Sequence, residues 1–260
     1  MCTLTILPRS SLGPSAVDFR VAFSRDEQRD RTPGTPPRFE DHDGTRSVLP
    51  RDPQGGGTWI AVTEHGLVFC LLNVNPRAHD PSHEGGLSRG RLIPGLLPAR
   101  SLAEVGSRLP ALAEPVRRPF RLVVTDGLEV LEATGAAGGV TSALGPLEAP
   151  FMRCSSGLGD HVVEPLREEA FDRMLPPGAR VGSEAQDAYH RLRFEGRDDC
   201  SVDMSRADAL TVSWTVIEVD EAEARLSHHP APPRESPTPE SLLLPMARGS
   251  GRRTAPVVDA

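Results

Sequence analysis

The chain begins Met1-Cys-Thr-Leu-Thr-Ile-Leu-Pro8, a run rich in apolar and β-branched residues. This pattern predicts a β-strand at the start of the chain. Removal of Met1, which is usual before a small residue, would leave Cys2 with both a thiol and a free α-amine. An α-amine has a reference pKa of about 7.7–8.0, so Cys2 would carry a nucleophile and its general base together. The alternative is a Cys2 that is simply buried in the strand.

Charged residues follow the second predicted strand. That strand covers Val17–Phe23 and leads into Ser24-Arg-Asp-Glu27. If it pairs with the first strand, its end lies beside Cys2. There Arg25 would lower the thiol pKa, and one of the two carboxylates after it would hold the α-amine. The alternative is a charged exit from a strand into a loop.

A side-chain amide ends another predicted strand. The apolar runs Thr58–Thr63 and Leu67–Asn73 predict a buried hairpin. The amide of Asn73, at the end of the second run, is a suitable hydrogen-bond donor to an oxyanion. The alternative is an asparagine that caps a turn before Pro76.

Composition excludes several classes of function. The chain has 260 residues, a net charge of −7 and a pI near 5.6. This acidic balance excludes a broad basic surface for nucleic acid. The longest apolar run, Gly66–Leu72, is too short to cross a bilayer, and no secretory signal is visible. The four cysteines lie far apart without a CxxC pair, which predicts neither a disulfide framework nor a zinc ribbon. We expect a cytoplasmic protein and no cofactor.

The order of predicted elements indicates an α+β domain. Strands fill the first third, helices are predicted at Ser101–Glu114 and Asp160–Leu175, and further strands come late. Because some strands are apolar on both faces, we expect two sheets packed face to face with helices outside both. The remaining predicted strands are Phe120–Thr125, Leu128–Ala133, Phe151–Ser155, Ser201–Met204, Leu210–Val219 and Ala224–His228.

Segments without periodicity are predicted to be irregular. Residues 29–54 and 75–97 are rich in Pro, Gly and charged residues, which is typical of loops. The folded domain is predicted to cover residues 1–229. A Pro- and Arg-rich tail at 230–260 is predicted to be disordered.

Several motifs together resemble those of one family. Besides the first eight residues and Ser24–Glu27, they are Pro50-Arg-Asp-Pro-Gln-Gly-Gly-Gly-Thr-Trp-Ile-Ala-Val62, Leu71-Leu-Asn73 and Ser88-Arg-Gly90. The combination is similar to the NRDE family, that of the transport and Golgi organisation protein 2 homologues, over residues 1–228. The resemblance implies an N-terminal-nucleophile (Ntn) hydrolase-like fold, which is a four-layer αββα sandwich of two antiparallel sheets.

The resemblance also implies roles for individual residues. By the pattern of cysteine amidases such as choloylglycine hydrolases, Cys2 matches the nucleophile and Asn73 the oxyanion donor. Arg25 and Asp26 fall where an Arg and an Asp flank that nucleophile. Whether Asp26 or Glu27 is the functional carboxylate stays open.

Substrate contacts are implied for Glu27, Trp59, Ser155 and Ser156, with one of the two serines in place of a second Asn. The implied activity is hydrolysis of a non-peptide amide bond in a small molecule. The alternative is a catalytically silent binding or trafficking factor for a lipid or a haem-like ligand. We expect no nucleic-acid partner, no integral membrane segment and no metal.

Overall fold

The computed structural model describes residues 2–13, 17–75, 86–136, 139–235 and 238–247. Within these residues the chain forms thirteen β-strands and five α-helices. The strands are β1 (Cys2–Pro8), β2 (Phe19–Gln28), β3 (Arg38–His42), β4 (Thr45–Leu49), β5 (Ile60–Thr63), β6 (Val68–Asn73), β7 (Phe120–Thr125), β8 (Glu129–Ala136), β9 (Gly139–Pro146), β10 (Phe151–Ser155), β11 (Ala209–Val219), β12 (Glu223–His229) and β13 (Glu240–Pro245). The helices are α1 (Arg9–Leu12), α2 (Leu92–Leu96), α3 (Leu102–Ala113), α4 (Asp160–Met174) and α5 (Gly182–His190).

The strands form two antiparallel sheets. The first sheet has the order β10-β1-β2-β11-β12-β13, and the second runs from β3 to β9 in sequence order. The second sheet is therefore a series of neighbours along the chain. The first sheet instead joins the start of the chain to strands from its middle and its end. The predicted α+β class is confirmed.

Apolar side chains hold the two sheets face to face. The core between them contains Leu4 from the first sheet and Cys70 from the second. A second core, which includes Val105 of α3, lies outside the second sheet, and a third, with Phe171 of α4, lies outside the first. Each fully buried side chain of this kind stabilises the fold by about 1.5–3 kcal/mol. The predicted four-layer αββα sandwich is confirmed.

A capping residue and a turn glycine fix the start of one helix and the turn of one hairpin. Helix α3 begins after Ser101, whose Oγ accepts a hydrogen bond from the backbone N–H of Glu104 at 3.2 Å. The β7–β8 hairpin turns at Gly127, which has a φ of 91°. A side chain there would meet the ring of Phe19 at 2.2 Å, so the turn requires glycine.

The structure corrects several predictions outside the site. Residues 29–54 contain the β3–β4 hairpin, whose turn at Asp43-Gly44 has positive φ at both residues. An Asp-Gly pair is a strong hairpin signal, and it outweighs the polar composition of β3. Within the predicted loop at 75–97, the described part contains α2, and residues 76–85 lie outside the described residues.

Between residues 130 and 229 the chain departs from prediction at three elements. Ser201–Met204 is not a strand, because two of its N–H groups bond to the loop carbonyls of Arg197 and Leu192. Strand β9 and helix α5 were not predicted. The small and polar residues of β9 and the short length of α5 give weak periodicity.

Strand β13 lies in the segment that was predicted to be a disordered tail. It pairs antiparallel with β12 at the edge of the first sheet. Leu244 is fully buried and joins the core between the sheets. The prediction of disorder is therefore wrong for Glu240–Pro245, and the folded domain extends past residue 229. Three consecutive leucines at 242–244 are enough to form an edge strand within a Pro- and Arg-rich segment. Residues 248–260 lie outside the described residues.

Deleting residues 230–260 is expected to lower the free energy of unfolding by at least about 2 kcal/mol, because Leu244 loses its place in the core. Deleting only residues 248–260 keeps β13 and is the matched control. Urea denaturation of both shortened chains beside the full chain measures the difference. Equal stability of all three chains would show that β13 contributes nothing.

Candidate active site

Cys2 lies in the first sheet between two neighbouring strands. It stands opposite Arg25 of β2 on one side and opposite Ser155 of β10 on the other. Its backbone nitrogen donates a hydrogen bond to Ser155 Oγ at 3.1 Å. The side chain shares the face of β1 that points into the core between the sheets, with Leu4 and Ile6. The predicted pairing of the first two strands therefore occurs, and it places Arg25 across from Cys2.

A cleft of about 490 Å³ opens beside Cys2. Its lining combines strand residues from both sheets with residues from two loops. The site residues expected from the sequence that line it are Cys2, Arg25, Asp26, Glu27, Trp59 and Asn73. Four further charged residues among the described part of the lining were not expected from the sequence, and they are Arg31, Asp52, Arg89 and Arg118.

A chain of ion pairs crosses one side of the cleft. Arg25 Nη2 lies 3.2 Å from Glu27 Oε2, and Arg31 Nε lies 3.3 Å from the same oxygen. Arg31 Nη2 also donates to Asp52 Oδ2 at 2.6 Å. The Arg25 guanidinium lies over the Trp59 ring, 4.4 Å from its centroid. These contacts fix the planar Arg25 side chain beside Cys2.

The two neighbouring carboxylates of β2 point to opposite faces of the sheet. Strand alternation places Glu27 on the Arg25 face and Asp26 on the other. Asp26 Oδ1 accepts a hydrogen bond from Thr211 Oγ1 at 2.6 Å, and Asp26 Oδ2 lies 3.6 Å from Arg167 Nη2. Glu27 is therefore the carboxylate tied to Arg25, and Asp26 is anchored beneath the sheet.

Burial raises the pKa of the Cys2 thiol above its ordinary value. The positive charges of the chain's amino terminus and of Arg25 lower it, and the negative charges of Asp26 and Glu27 raise it. Arg25 therefore lowers this pKa as predicted, but in the chain that still carries Met1 burial outweighs its effect. The guanidinium is shared with Glu27, and removal of the thiolate from water outweighs it. Cys70, buried in β6, has its thiol pKa raised even further by burial.

Asn73 differs from Ser155 and Ser156 in its position relative to the cleft. Asn73 ends β6 half-buried in the lining. Neither Ser155 nor Ser156 is among the described residues that form this lining. Ser155 is fully buried beside the Cys2 nitrogen, and the Ser156 N–H donates to Asp160 Oδ1 at 2.8 Å, at the start of α4. Ser155 therefore contacts the backbone of Cys2 and Ser156 lies in a turn before a helix, and the substrate contact expected of these serines stays a prediction.

Two glycine-containing turns meet at the rim of the cleft. The N–H of Thr58 donates to the carbonyl of Gly90 at 3.0 Å. A side chain on Gly57 would lie 2.2 Å from the Gly90 backbone, so only glycine allows this approach. The contact brings Ser88 and Arg89 to the cleft. The sequence signal for both was present, because these turns belong to the motifs at 50–62 and 88–90.

A buried histidine lies under β1 and β2, on the face opposite Cys2. His190 Nε2 lies 2.8 Å from Thr5 Oγ1, and His190 Nδ1 lies 2.7 Å from Ser24 Oγ. Burial, with the nearby positive charges of Arg20 and Arg167, lowers the pKa of His190 to about 3. The imidazole is therefore neutral at physiological pH and bridges the first two strands.

The protein is expected to lose stability as the pH falls below 6.5, because the unfolded chain then protonates His190 and the folded chain does not. Near pH 5 this one group costs about 2 kcal/mol, at about 1.36 kcal/mol per pH unit. His190→Gln should reduce the loss between pH 7 and pH 5 by about that amount, measured by urea denaturation. His161→Gln, at an exposed position, is the control. An unchanged slope in His190→Gln would contradict the assignment.

The described residues contain no cluster of three or more His, Cys, Asp or Glu side chains that could hold a metal ion. Among them, no helix has the length and apolar content needed to cross a membrane.

The chain matches one family model, and its fold is similar to those of solved structures. The family model described as Transport and Golgi organisation 2 matches residues 1–133. The structure is similar to the C2A mutant of conjugated bile acid hydrolase from Clostridium perfringens, with a TM-score of 0.50 and 11% identity over 96% of this chain and 98% of that chain. It is also similar to the Caenorhabditis elegans orthologue of N-acylethanolamine-hydrolyzing acid amidase, with a TM-score of 0.51 and 10% identity over 83% and 92%. At these identities the likeness shows the fold alone, which is Ntn-hydrolase-like. No curated protein matches the chain.

Proposed function

The chain belongs to the transport and Golgi organisation 2 family, and we propose that it hydrolyses a non-peptide amide bond of a small molecule with Cys2 as nucleophile. The observation that carries this proposal is the position of Cys2 in the first strand, at a cleft that also contains Arg25 and Asn73. Two solved structures of similar fold are named as a bile acid hydrolase and an acid amidase, which supports the same class of reaction.

The proposed reaction proceeds through an acyl thioester on Cys2. After removal of Met1, the free α-amine of Cys2 takes the thiol proton while Sγ attacks the substrate carbonyl. The Asn73 amide donates a hydrogen bond to the resulting oxyanion. The C–N bond then breaks, and the leaving amine takes the proton from the α-ammonium. Water attacks the thioester with the α-amine as base, which releases the acid and restores Cys2.

The raised pKa of the Cys2 thiol makes a general base necessary. A thiol that burial holds in its protonated form is a weak nucleophile until a base removes its proton. Ser155 Oγ, 3.1 Å from the Cys2 nitrogen, would orient the α-amine for that transfer. Arg25, held by Glu27 and Trp59, would stabilise the developing thiolate.

The proposal is tested by producing the chain with an N-terminal extension that a protease removes immediately before Cys2. A matched chain keeps one extra glycine before Cys2 after cleavage. Both have the same thiol, and only the first has an α-amine on Cys2. Hydrolysis of small acyl amides, neutral or acidic, by the first chain alone would support the mechanism. Equal rates from both chains, or turnover by the uncleaved chain, would show that the α-amine takes no part in the mechanism.

Asn73→Ala is expected to lower kcat by about a hundredfold to a thousandfold, as found when an oxyanion donor is removed. Asn75→Ala is the matched control, because Asn75 bonds instead to Asp160, at 3.4 Å from Nδ2 to Oδ1. Steady-state kinetics on an amide substrate distinguish the two variants. A kcat for Asn73→Ala within threefold of the parent would exclude it as the oxyanion donor.

A second candidate function is cytoplasmic binding or carriage of a lipid or haem-like ligand without turnover. The burial of Cys2, which is 6% exposed, disfavours a reactive thiolate and in that respect fits a protein without turnover. It predicts that Cys2→Ala leaves ligand affinity unchanged, and that neither cleaved chain hydrolyses amides.

A further inference from the structure

Among the residues that the structure describes, the lining of the cleft holds more positive charge than its carboxylates neutralise. The chain as a whole has a net charge of −7, yet four arginines line this cleft. Two of them, Arg25 and Arg31, are paired with Glu27 and Asp52. The third acidic residue of the lining is Asp26, which binds Arg167 beneath the sheet. Arg89 and Arg118 therefore carry the excess charge.

Neither Arg89 nor Arg118 forms an ion pair with a carboxylate in the part of the chain that the structure describes. Arg89 is half-buried and donates from Nη1 to the Pro119 carbonyl at 2.9 Å, which leaves its other N–H groups for a ligand. Burial and the charge of Arg118 lower the pKa of Arg89 to about 10, so it is still charged at neutral pH. Two cations thus line one cleft without an ion pair to a carboxylate of the described residues, and the charge of Glu27 acts on Arg89 only from beyond ion-pair distance.

We propose that Arg89 and Arg118 bind an anionic group, a carboxylate or a phosphate, of the small molecule that occupies the cleft beside Cys2. Guanidinium groups match the geometry of both anions and form charge-assisted hydrogen bonds with them. An anion between the two arginines would also relieve their mutual repulsion. This assignment rests on the proposed function, since it takes the cleft as the substrate site. It narrows the substrate class to acidic amides.

The test compares three probes that differ at one end. They are N-butyryl-γ-aminobutyrate, its neutral primary carboxamide, and N-butyryl-aminopropyl phosphate. Calorimetric titration into the Cys2→Ala protein measures binding without hydrolysis. The anionic probes are expected to bind at least about tenfold more tightly than the carboxamide, as one charge-assisted contact predicts. This preference should shrink in about 0.5 M salt.

Arg89→Gln and Arg118→Gln, each made in the Cys2→Ala background, should remove most of the preference for the anionic probes. Arg225→Gln removes the same charge at an exposed position on β12 and is the control. Arg118 is exposed, so its variant remains informative if Arg89→Gln fails to fold. The tighter of the two anionic probes identifies the anion as a carboxylate or a phosphate.

Equal affinity for all three probes, an unchanged preference in both arginine variants, or no binding of any probe would overturn the assignment. The same probes distinguish a failure of the anion-site assignment from a failure of the proposed hydrolase function. Hydrolysis of the neutral carboxamide by the parent protein without any anion preference keeps the hydrolase proposal and removes the anion site. A clear preference without hydrolysis keeps the anion site and removes the hydrolase proposal.

Discussion

Cys2→Ala is expected to lower amide turnover by at least about ten-thousandfold, because no nucleophile remains in the first strand and the free α-amine has no thiol to activate. The fold should persist, since alanine removes only one sulfur atom from the core between the sheets. We expect a change in melting temperature of less than about 5 °C. Turnover and thermal denaturation of the same preparation provide the two measurements.

Cys70→Ala is the matched control for this prediction. Cys70 lies in β6 in the same core, and burial raises its thiol pKa well above the ordinary value. Its replacement should leave turnover nearly unchanged. If Cys2→Ala kept the activity of the parent, the nucleophile would be elsewhere and the proposed mechanism would be wrong.

The sequence was sufficient where a short segment determines its own structure. The first strand, the hairpin turn at Asp126-Gly127 and the Ser101 cap of α3 all depend on residues close to each other in the chain. The family motifs pointed to Cys2, Arg25 and Asn73, which line one cleft. The pairing of β1 with β2 brings Arg25 beside Cys2, whereas Asn73 reaches the cleft from the second sheet. Periodicity and turn chemistry carry this kind of information.

The features that could not be predicted from the sequence depend on contacts between distant segments of the chain. Strand β13 needs a partner edge that only the folded first sheet provides, so its composition alone indicated disorder. Arg25 and Asp26 are neighbours in sequence, yet strand alternation separates their side chains, and only the packing of α4 shows what Asp26 binds. The burial that raises the Cys2 pKa could not be predicted either, because burial is a property of the assembled sandwich.

The structural role of Arg167 in α4 also depends on contacts between distant segments, so it could not be predicted from the sequence. Its side chain is 1% exposed, and its guanidinium lies 3.6 Å from Asp26 Oδ2. Arg167 Nη1 donates to Thr3 Oγ1 at 2.6 Å, and Nε donates to the Cys200 carbonyl at 3.1 Å. Arg167 thus joins α4 to both β1 and β2, directly beneath the residues that flank Cys2.

Arg167→Met is therefore expected to lower the free energy of unfolding by about 3–5 kcal/mol, because it leaves the charge of Asp26 buried without its cation. Arg173→Met, at an exposed position on the same helix, should change it by less than about 0.5 kcal/mol. Urea denaturation of both variants at neutral pH measures the two values.

The cause is isolated by adding Asp26→Asn to the Arg167 variant. If the loss of stability comes from an unpaired buried carboxylate, the double variant should recover part of it, and the coupling between the two positions should exceed about 1 kcal/mol. Additive effects would instead assign the loss to the hydrogen bonds of Arg167 with Thr3 and the Cys200 carbonyl. A loss below about 1 kcal/mol in Arg167→Met would show that the ion pair does not hold the first two strands to α4.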